Sequence, residues 1–261
     1  MSKIPVILQK EWLELRSDRG LLLSTLLPPL LLTLLPIGIV YGAGRVPDDD
    51  ILTMGAALNN PAFAGMSALE LGQALIGQQL ALLFLLMPLI IPSILASYSI
   101  VGEKTRRTLE PILATPIATW ELLLGKSLAA FIPAVGLTFL CGGIFVAAMR
   151  LLAVSPRVFA AIINPGWLIV FALCSPLLAV ISIALMVAVS SRVNDPRTAQ
   201  QLSAVAVVPL MAVFFGQLTG LVVLGPGVAL VGALILAAIA ALAIWLATRV
   251  FQREAILTRW R

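Results

Sequence analysis

The sequence predicts an all-α integral membrane protein in which six transmembrane helices follow an amphipathic helix at the membrane interface. Hydrophobic residues make up 61% of the chain and charged residues only 11%. The mean hydropathy is +1.08, which no ordinary soluble domain reaches. The apolar residues also fall into six runs, each long enough, at about 1.5 Å per residue, to cross about 30 Å of hydrocarbon.

The first segment, residues 1–20, is predicted to be the interfacial helix. Ile4, Leu8, Trp12 and Leu15 recur at helical spacing, and most of the charged residues fall on other faces. A solvated tail would seldom keep a tryptophan on an apolar stripe. We therefore expect this helix to lie against the membrane.

The remainder of the chain, residues 21–261, is predicted to form one six-helix membrane domain. Asn164-Pro165 and Asp195-Pro196 each combine a capping residue with a proline that suits the first helical position, so they predict the starts of the fourth and fifth spans. The predicted spans are 21–41, 73–101, 121–149, 166–190, 201–222 and 228–249.

The basic residues predict the orientation of the spans. Fourteen of them fall in one set of loops and ends, and only three, Arg45, Arg150 and Arg157, fall in the other. Because loops rich in lysine and arginine stay in the cytoplasm, both termini and the loop at 102–120 are expected there, in a cell (plasma or inner) membrane. The net charge of +5 is attributed to this asymmetry and to contact with the lipid bilayer, and no nucleic-acid partner is expected.

A charged stretch, 102–126, separates the second and third apolar runs. Two prolines, Pro111 and Pro116, divide it, and Thr115-Pro116 predicts a helix start. We expect a compact surface loop that docks on a partner, with Glu103 at the surface and not needed in the bundle core.

The residues of this stretch resemble the signature of ABC-2 type transporter permeases. The similarity is carried by Gly102-Glu103-Lys104, by Arg107-Thr108-Leu109-Glu110-Pro111-Ile112-Leu113-Ala114-Thr115-Pro116 and by Glu121-Leu122-Leu123-Leu124-Gly125-Lys126.

The resemblance implies an ABC-2 (type V exporter-like) permease fold whose subunits dimerise on separate ATPase subunits. The 102–120 loop would then be the coupling loop, which passes ATPase motion to the membrane, and the leading helix would also meet the ATPase. ATP and Mg²⁺ would be bound by the partner ATPase, so no cofactor is expected in this chain. The candidate coupling residues are Glu103, Lys104, Arg106, Arg107, Thr108, Leu109, Glu110, Pro111, Thr115 and Pro116.

No residues of the chain predict an enzyme. Gly125-Lys126-Ser127 resembles the end of a phosphate-binding loop, but that motif needs a glycine where Trp120 stands. Gly125 is instead expected to permit close packing, and Lys126 to extend to the cytoplasmic surface. There is no histidine, and no metal-spaced cluster or paired carboxylates are evident. We predict no catalytic, cofactor or metal residues.

Three glutamines are the notable polar residues expected at membrane depth. Gln78, Gln79 and Gln217 could line a substrate pathway or form hydrogen bonds between helices, and the sequence does not decide between these roles. The acidic run Asp48-Asp49-Asp50 is interpreted as a solvated turn rather than a cation site.

Two classes of function fit this organisation. The favoured one is the permease subunit of an ATP-driven exporter. The alternative is a non-transporting scaffold or assembly subunit of a cell-envelope complex. A scaffold has no need of a basic, proline-divided loop together with an amphipathic leading helix, so the 102–126 stretch favours the transport subunit.

Overall fold

The computed structural model describes residues 3–45, 63, 65–103, 118–190, 193, 195–219 and 225–250, with the side chains of Thr119 and Val250 excepted. Within this part of the chain, six helices are long and apolar enough to cross a membrane, as predicted. We call them spans 1 to 6, and their bounds are Arg19–Ala43, Ala68–Gly102, Trp120–Leu152, Pro156–Ser190, Pro196–Leu218 and Pro226–Arg249.

The leading helix, α1, covers Ile4–Ser17 and packs beside the start of span 3. Its buried residues are Ile7 and Glu11, whereas Trp12 keeps 39% of its surface exposed. The predicted apolar stripe overlaps only in part with the face that α1 buries in the protein, since Leu15 packs against the core whereas Trp12 stays exposed. Glu11 is buried because it makes a polar contact with span 3, described below, between residues that are far apart in the chain.

A single residue, Asp18, separates α1 from span 1. Its backbone is extended, and its carboxylate accepts hydrogen bonds from the backbone N–H groups of Gly20 and Leu21. Asp18 thereby caps the helix that follows and lets the chain change direction between the two helices.

Span 2 begins five residues earlier than predicted. Ser67 and Glu70 form a reciprocal capping box, in which each side chain accepts a hydrogen bond from the other residue's backbone N–H. This polar pair starts the helix that the apolar run alone placed at residue 73. The span consists of an α-helix at Ala68–Leu82, a 3-10 turn at Leu83–Leu86, an α-helix at Met87–Ala96 and a π-helical turn at Ser97–Gly102.

Span 3 belongs to one helix, Thr119–Leu152, of 34 residues. At about 1.5 Å per residue this helix is about 50 Å long, whereas the hydrocarbon core is about 30 Å thick. The surplus leaves room for its ends, which carry Glu121 and Lys126 on one side and Arg150 on the other, to lie outside the hydrocarbon.

Both capping residues predicted for spans 4 and 5 cap a helical segment. The side chains of Asn164 and Asp195 accept hydrogen bonds from the backbone N–H groups of Trp167 and Thr198. Span 4 nevertheless begins ten residues earlier than predicted, because Ser155 caps a further short helix. Span 4 consists of α-helices at Pro156–Ile162 and Pro165–Ile169, a π-helical turn at Val170–Cys174 and an α-helix at Ser175–Ser190. Span 5 consists of an α-helix at Pro196–Ser203, a 3-10 turn at Ala204–Ala206 and an α-helix at Val207–Leu218. Span 6 belongs to one α-helix, Pro226–Val250.

Aromatic rings fill the centre of the bundle between spans 2, 3 and 4. Trp167 and Phe171 stack with their ring centroids 4.9 Å apart, and the ring centroids of Phe84 and Phe145 are 4.7 Å apart. Gly142 lets Phe171 approach span 3, since a Cβ atom there would lie only 2.2 Å from the phenylalanine Cζ. The interior of the described bundle is therefore packed with large apolar side chains.

The outer spans are far less enclosed than span 2. In their most apolar windows, 72% of span 2 is buried, compared with 28% of span 1, 22% of span 6 and 6% of span 5. Spans 1, 5 and 6 thus present most of their apolar side chains outward, to lipid or to another protein.

Candidate functional site

The end of the bundle that carries α1 is organised around span 3. The backbone N–H of Lys3 contacts a carboxylate oxygen of Glu121 at 3.4 Å, and the indole N–H of Trp12 donates to the carbonyl of Ala129 at 3.3 Å. These pairs, at the start and towards the end of α1, show that the two helices run side by side in the same direction.

Gly125 provides the close approach between these helices. A Cβ atom at this position would lie 2.8 Å from Cγ2 of Ile7. The predicted packing role of Gly125 is therefore confirmed. A larger residue at this position would require the Ile7 side chain or α1 to shift.

Lys126 lies next to this contact and joins α1 and the end of span 2 to span 3. Its Nζ atom is 2.7 Å from Oε1 of Glu11 on α1 and 2.7 Å from Oε2 of Glu103 at the end of span 2. It also donates to the backbone carbonyl of Ser99 at 2.9 Å and to the Ser99 hydroxyl at 3.1 Å. The ammonium group is thus fully coordinated by oxygen atoms.

Two expectations from the sequence were wrong here. Lys126 does not extend to the surface, because only 3% of its side chain is exposed. Glu103 does not stand free on the surface either, because only 6% of it is exposed and it pairs with Lys126 and with Lys10. The physical reason is the same for both residues, because a buried charge needs an opposite charge beside it. Glu11 of α1 provides it for Lys126, and Lys126 of span 3 and Lys10 of α1 provide it for Glu103.

Lys10 extends the same cluster on the side that is open to solvent. Its ammonium group contacts Glu103, lies 2.8 Å from Glu14 and lies 3.5 Å from Glu11. Burial by itself lowers the pKa of Lys10, but the hydrogen bonds to Glu103 and Glu14 and the nearby charges outweigh it, so this pKa lies above its usual value. Lys10 is therefore charged throughout the physiological pH range.

Glu11 keeps its negative charge although it is buried. Burial raises the pKa of this carboxyl, but the charge and hydrogen bond of Lys126, the hydroxyl of Ser99 and the charge of Lys10 together lower it below its usual value of 4.5. We call Lys10, Glu11, Glu14, Glu103 and Lys126 the charge cluster.

The charge cluster could be mistaken for a metal site. Glu11, Glu14 and Glu103 place their carboxylate oxygens close enough together to hold a cation. The Lys10 ammonium contacts all three of these carboxylates, however, and so takes the position of a cation. The arrangement is an ion-pair network that fixes helices.

A cavity of about 280 Å³ adjoins the charge cluster between α1, span 2 and span 3. Its walls combine charged residues of the cluster with Trp12, Asp18, Tyr98 and Leu95.

The π-helical turn at Ser97–Gly102 joins the charge cluster to span 5. Lys126 binds Ser99 within this turn, and the side chain of Gln200, at the start of span 5, donates to the Ser97 hydroxyl at 2.8 Å. Turns of this type are rare and occur often at functional sites.

The three glutamines singled out in the sequence have different surroundings. Gln79 donates to the carbonyl of Phe214 at 2.8 Å, which links span 2 to span 5 and favours the interhelical role for this residue. Gln78 is half-buried. Oε1 of Gln217 is buried without a hydrogen-bond partner among the described residues. A pathway role for the three stays a prediction.

Gln73, which the sequence analysis did not single out, forms three hydrogen bonds with residues of the described part of the chain. It is fully buried at the opposite end of the bundle, where its amide donates to the carbonyls of Val40 and Leu152 and its oxygen accepts from the N–H of Val154. It thereby ties the ends of spans 1 and 3 to span 2. The only signal in the sequence was a glutamine inside an apolar run.

Of the candidate coupling residues, Glu103 alone lies within the described part of the chain. The others, and the acidic run at 48–50, fall outside the described residues. The outside group comprises Lys104, Arg106, Arg107, Thr108, Leu109, Glu110, Pro111, Thr115 and Pro116.

These features define a multi-pass, all-helical membrane protein with a fixed charged junction at one end. A family model described as an ABC-2 family transporter protein matches residues 6–227. Because the match covers well over half of the chain, the chain belongs to this family. The resemblance carried by the 102–126 stretch is thereby confirmed, and the protein is a membrane transport component. A comparison with curated proteins found no match.

Proposed function

We propose that this chain is the permease subunit of an ATP-driven exporter, and that it couples to a separate ATPase subunit through α1 and the 102–120 loop. The observation that carries the proposal is the charge cluster. In a chain of the ABC-2 family, the cluster ties α1 and the two helices that flank the loop into one unit. A surface element that receives force from a partner needs such a firm attachment to the spans.

The substrate pathway is proposed to lie between two subunits. Two features support this location: the interior of the described bundle is filled by rings such as Phe84, Phe145 and Trp167, and spans 1, 5 and 6 present most of their surface outward. A second permease copy, identical or similar, could cover part of that surface and enclose a pathway.

The proposed orientation places α1, the charge cluster and the loop in the cytoplasm of a cell (plasma or inner) membrane. The 14-to-3 distribution of basic residues supports it. The ATP and Mg²⁺ that drive transport would be bound by the partner ATPase, and this chain would act without a cofactor.

Copurification tests the proposal directly. The chain should be expressed together with the ATPase subunit from a neighbouring reading frame, isolated through a tag on the permease, and assayed for bound ATPase and for the native mass of the complex. We expect two permease subunits and two ATPase subunits. A stable permease that binds no ATPase would favour the scaffold alternative.

Orientation can be tested with single cysteines, because the native Cys141 and Cys174 are buried. An impermeant thiol reagent outside sealed cells should label the Asp49→Cys variant and should not reach the Thr105→Cys variant. Labelling of Thr105→Cys from outside would reverse the orientation.

A further inference from the structure

The two helices that flank the 102–120 loop are joined by one ion pair. Glu103 lies at the start of the loop and is the last residue described there, and Lys126 lies seven residues after Thr119, where the next helix begins. Their side chains meet at 2.7 Å in a buried position. The same lysine binds Glu11 of α1 at 2.7 Å, so one ammonium group connects both flanks of the loop with α1.

We propose that Lys126 is a positioning residue for coupling, which locks α1 and the π-helical turn of span 2 onto span 3. A force applied to α1 or to the loop then moves spans 2 and 3 together instead of being absorbed by bending at the junction. This role rests on the proposed function, because it needs a partner that applies the force.

The π-helical turn explains why a lock is needed at this place. Such a turn holds one residue more than an α-helical turn, so it interrupts the regular hydrogen-bond pattern at the end of span 2. Lys126 binds both the carbonyl and the hydroxyl of Ser99 inside the turn. Gln200 binds Ser97 from the other side, so a displacement of the turn would also reach span 5.

The two lysines of the cluster have different roles in this arrangement. Lys10 connects α1 with Glu103 but has no contact with span 3 among its ion pairs. Lys126 is the lysine through which span 3 holds both carboxylates. Both lysines carry the same charge, but only Lys126 connects the carboxylates with span 3. Variants of Lys10 and Lys126 can therefore be compared to separate the effect of charge from the effect of this connection.

Hydrogen exchange on the purified permease, without ATPase, tests the lock itself. The variant Glu11→Gln with Lys126→Met removes one charge of each sign, so the cluster keeps its net charge, with Lys10 still beside Glu14 and Glu103. We expect amide exchange in α1 and in residues 97–103 to rise together by about tenfold or more, since both lose a buried charged bond.

Two single variants make this test specific. Glu11→Gln alone should increase exchange in α1 while residues 97–103 stay protected, because the Glu103–Lys126 pair remains. Lys10→Met should likewise leave 97–103 protected. Equal protection of both segments in the double variant and the wild type would overturn the lock, and so would a rise at 97–103 in either single variant.

A second measurement tests whether the lock transmits force. In the assembled complex, exchange around Gln73, at the opposite end of the bundle, is compared with and without a non-hydrolysable ATP analogue. The wild type should respond to the analogue, and the double variant should lose most of that response. An unchanged response in the double variant would overturn the positioning role while the proposed function stands. No response in the wild type would overturn both the positioning role and the proposed function. Whether the lock exists would still be decided by hydrogen exchange in the isolated permease.

Discussion

Lys126 and Glu103 form a buried ion pair of 2.7 Å across the base of the loop between spans 2 and 3. The sequence had placed both residues at the surface. Their burial changes what a mutation in this region tests, because removing either one leaves a buried charge with one ion-pair partner fewer.

Replacing Lys126 is expected to destabilise the fold strongly. Lys126→Met leaves Glu11 and Glu103 without their shared partner, and breaking a buried pair in this way costs about 3–5 kcal/mol of unfolding free energy. Lys126→Arg should lose less, because it keeps the charge. Thermal unfolding of the detergent-purified protein measures the difference.

The double variant Glu11→Gln with Lys126→Met serves as the control for this prediction. It removes the charge together with one of its partners, so its melting temperature should lie above that of Lys126→Met alone. A single Lys126→Met variant that is as stable as the wild type would show that the buried pair contributes nothing to the fold.

The contribution of Glu11 to stability is expected to depend on pH on the acidic side only. Its pKa in the folded protein lies below the usual 4.5, because Lys126 holds the carboxylate charged. The stability it provides is therefore fully present above about pH 4.5 and is lost as pH falls through the lowered pKa. Lys10, whose pKa is raised, contributes throughout this range.

Thermal unfolding of the wild type and Glu11→Gln, measured from neutral pH down to about pH 3, checks this linkage. The difference in melting temperature between them should be constant near neutral pH and should shrink in acid. A difference that grows as pH falls would contradict the sign of the pKa shift.

Gln73 is expected to matter more for stability than the glutamines that the sequence brought forward. Gln73→Leu leaves the carbonyls of Val40 and Leu152 and the N–H of Val154 without this partner, at a cost of about 1–3 kcal/mol for each buried group left unsatisfied. Gln78→Leu is the matched control and should cost little, because Gln78 is only half-buried. Equal melting temperatures for the two variants would contradict the structural role of Gln73.

Two adjacent glycines in span 3 should respond in opposite ways to alanine. A Cβ atom at Gly142 would overlap Phe171, and such overpacking costs about 1–3 kcal/mol. At Gly143 nothing lies within 4 Å of the added atom, so Gly143→Ala should be neutral or stabilise the helix by up to about 1 kcal/mol. Thermal unfolding followed by tryptophan fluorescence is suitable, since Trp167 stacks on Phe171.

Coupling is best tested with residues that do not belong to the charge cluster. Glu103→Ala is unsuitable because Glu103 is buried, so this variant could lose ATPase coupling simply through a less stable fold. Arg106→Ala with Arg107→Ala should instead leave stability within about half a kcal/mol of the wild type, as is typical of surface sites. If both arginines dock on the ATPase, their loss should weaken association by about 2–5 kcal/mol and reduce ATP hydrolysis by the complex.

The control for coupling lies in the acidic run. Asp48→Ala with Asp49→Ala should leave binding of the ATPase and ATP hydrolysis intact, because these residues are predicted to face the other side of the membrane. Full activity of the arginine variant would mean that its charges serve only to set the topology.

The sequence by itself determined the features that depend on neighbouring residues. Six apolar runs predicted six spans, and the caps at Asn164 and Asp195 were predicted because each cap binds a backbone N–H three residues further on. The capping box of Ser67 and Glu70 is equally local, and it could have been found by weighing capping signals above hydropathy.

Only the tertiary structure decided which polar residues meet. Lys126 and Glu11 are far apart in the chain, and so are Gln73 and Leu152, yet each pair lies within hydrogen-bond distance. Hydropathy and spacing describe one helix at a time, whereas the environment of a charge depends on which helices pack around it. For that reason the sequence placed Glu103 and Lys126 at the surface, and the packing of α1 against span 3 placed them inside.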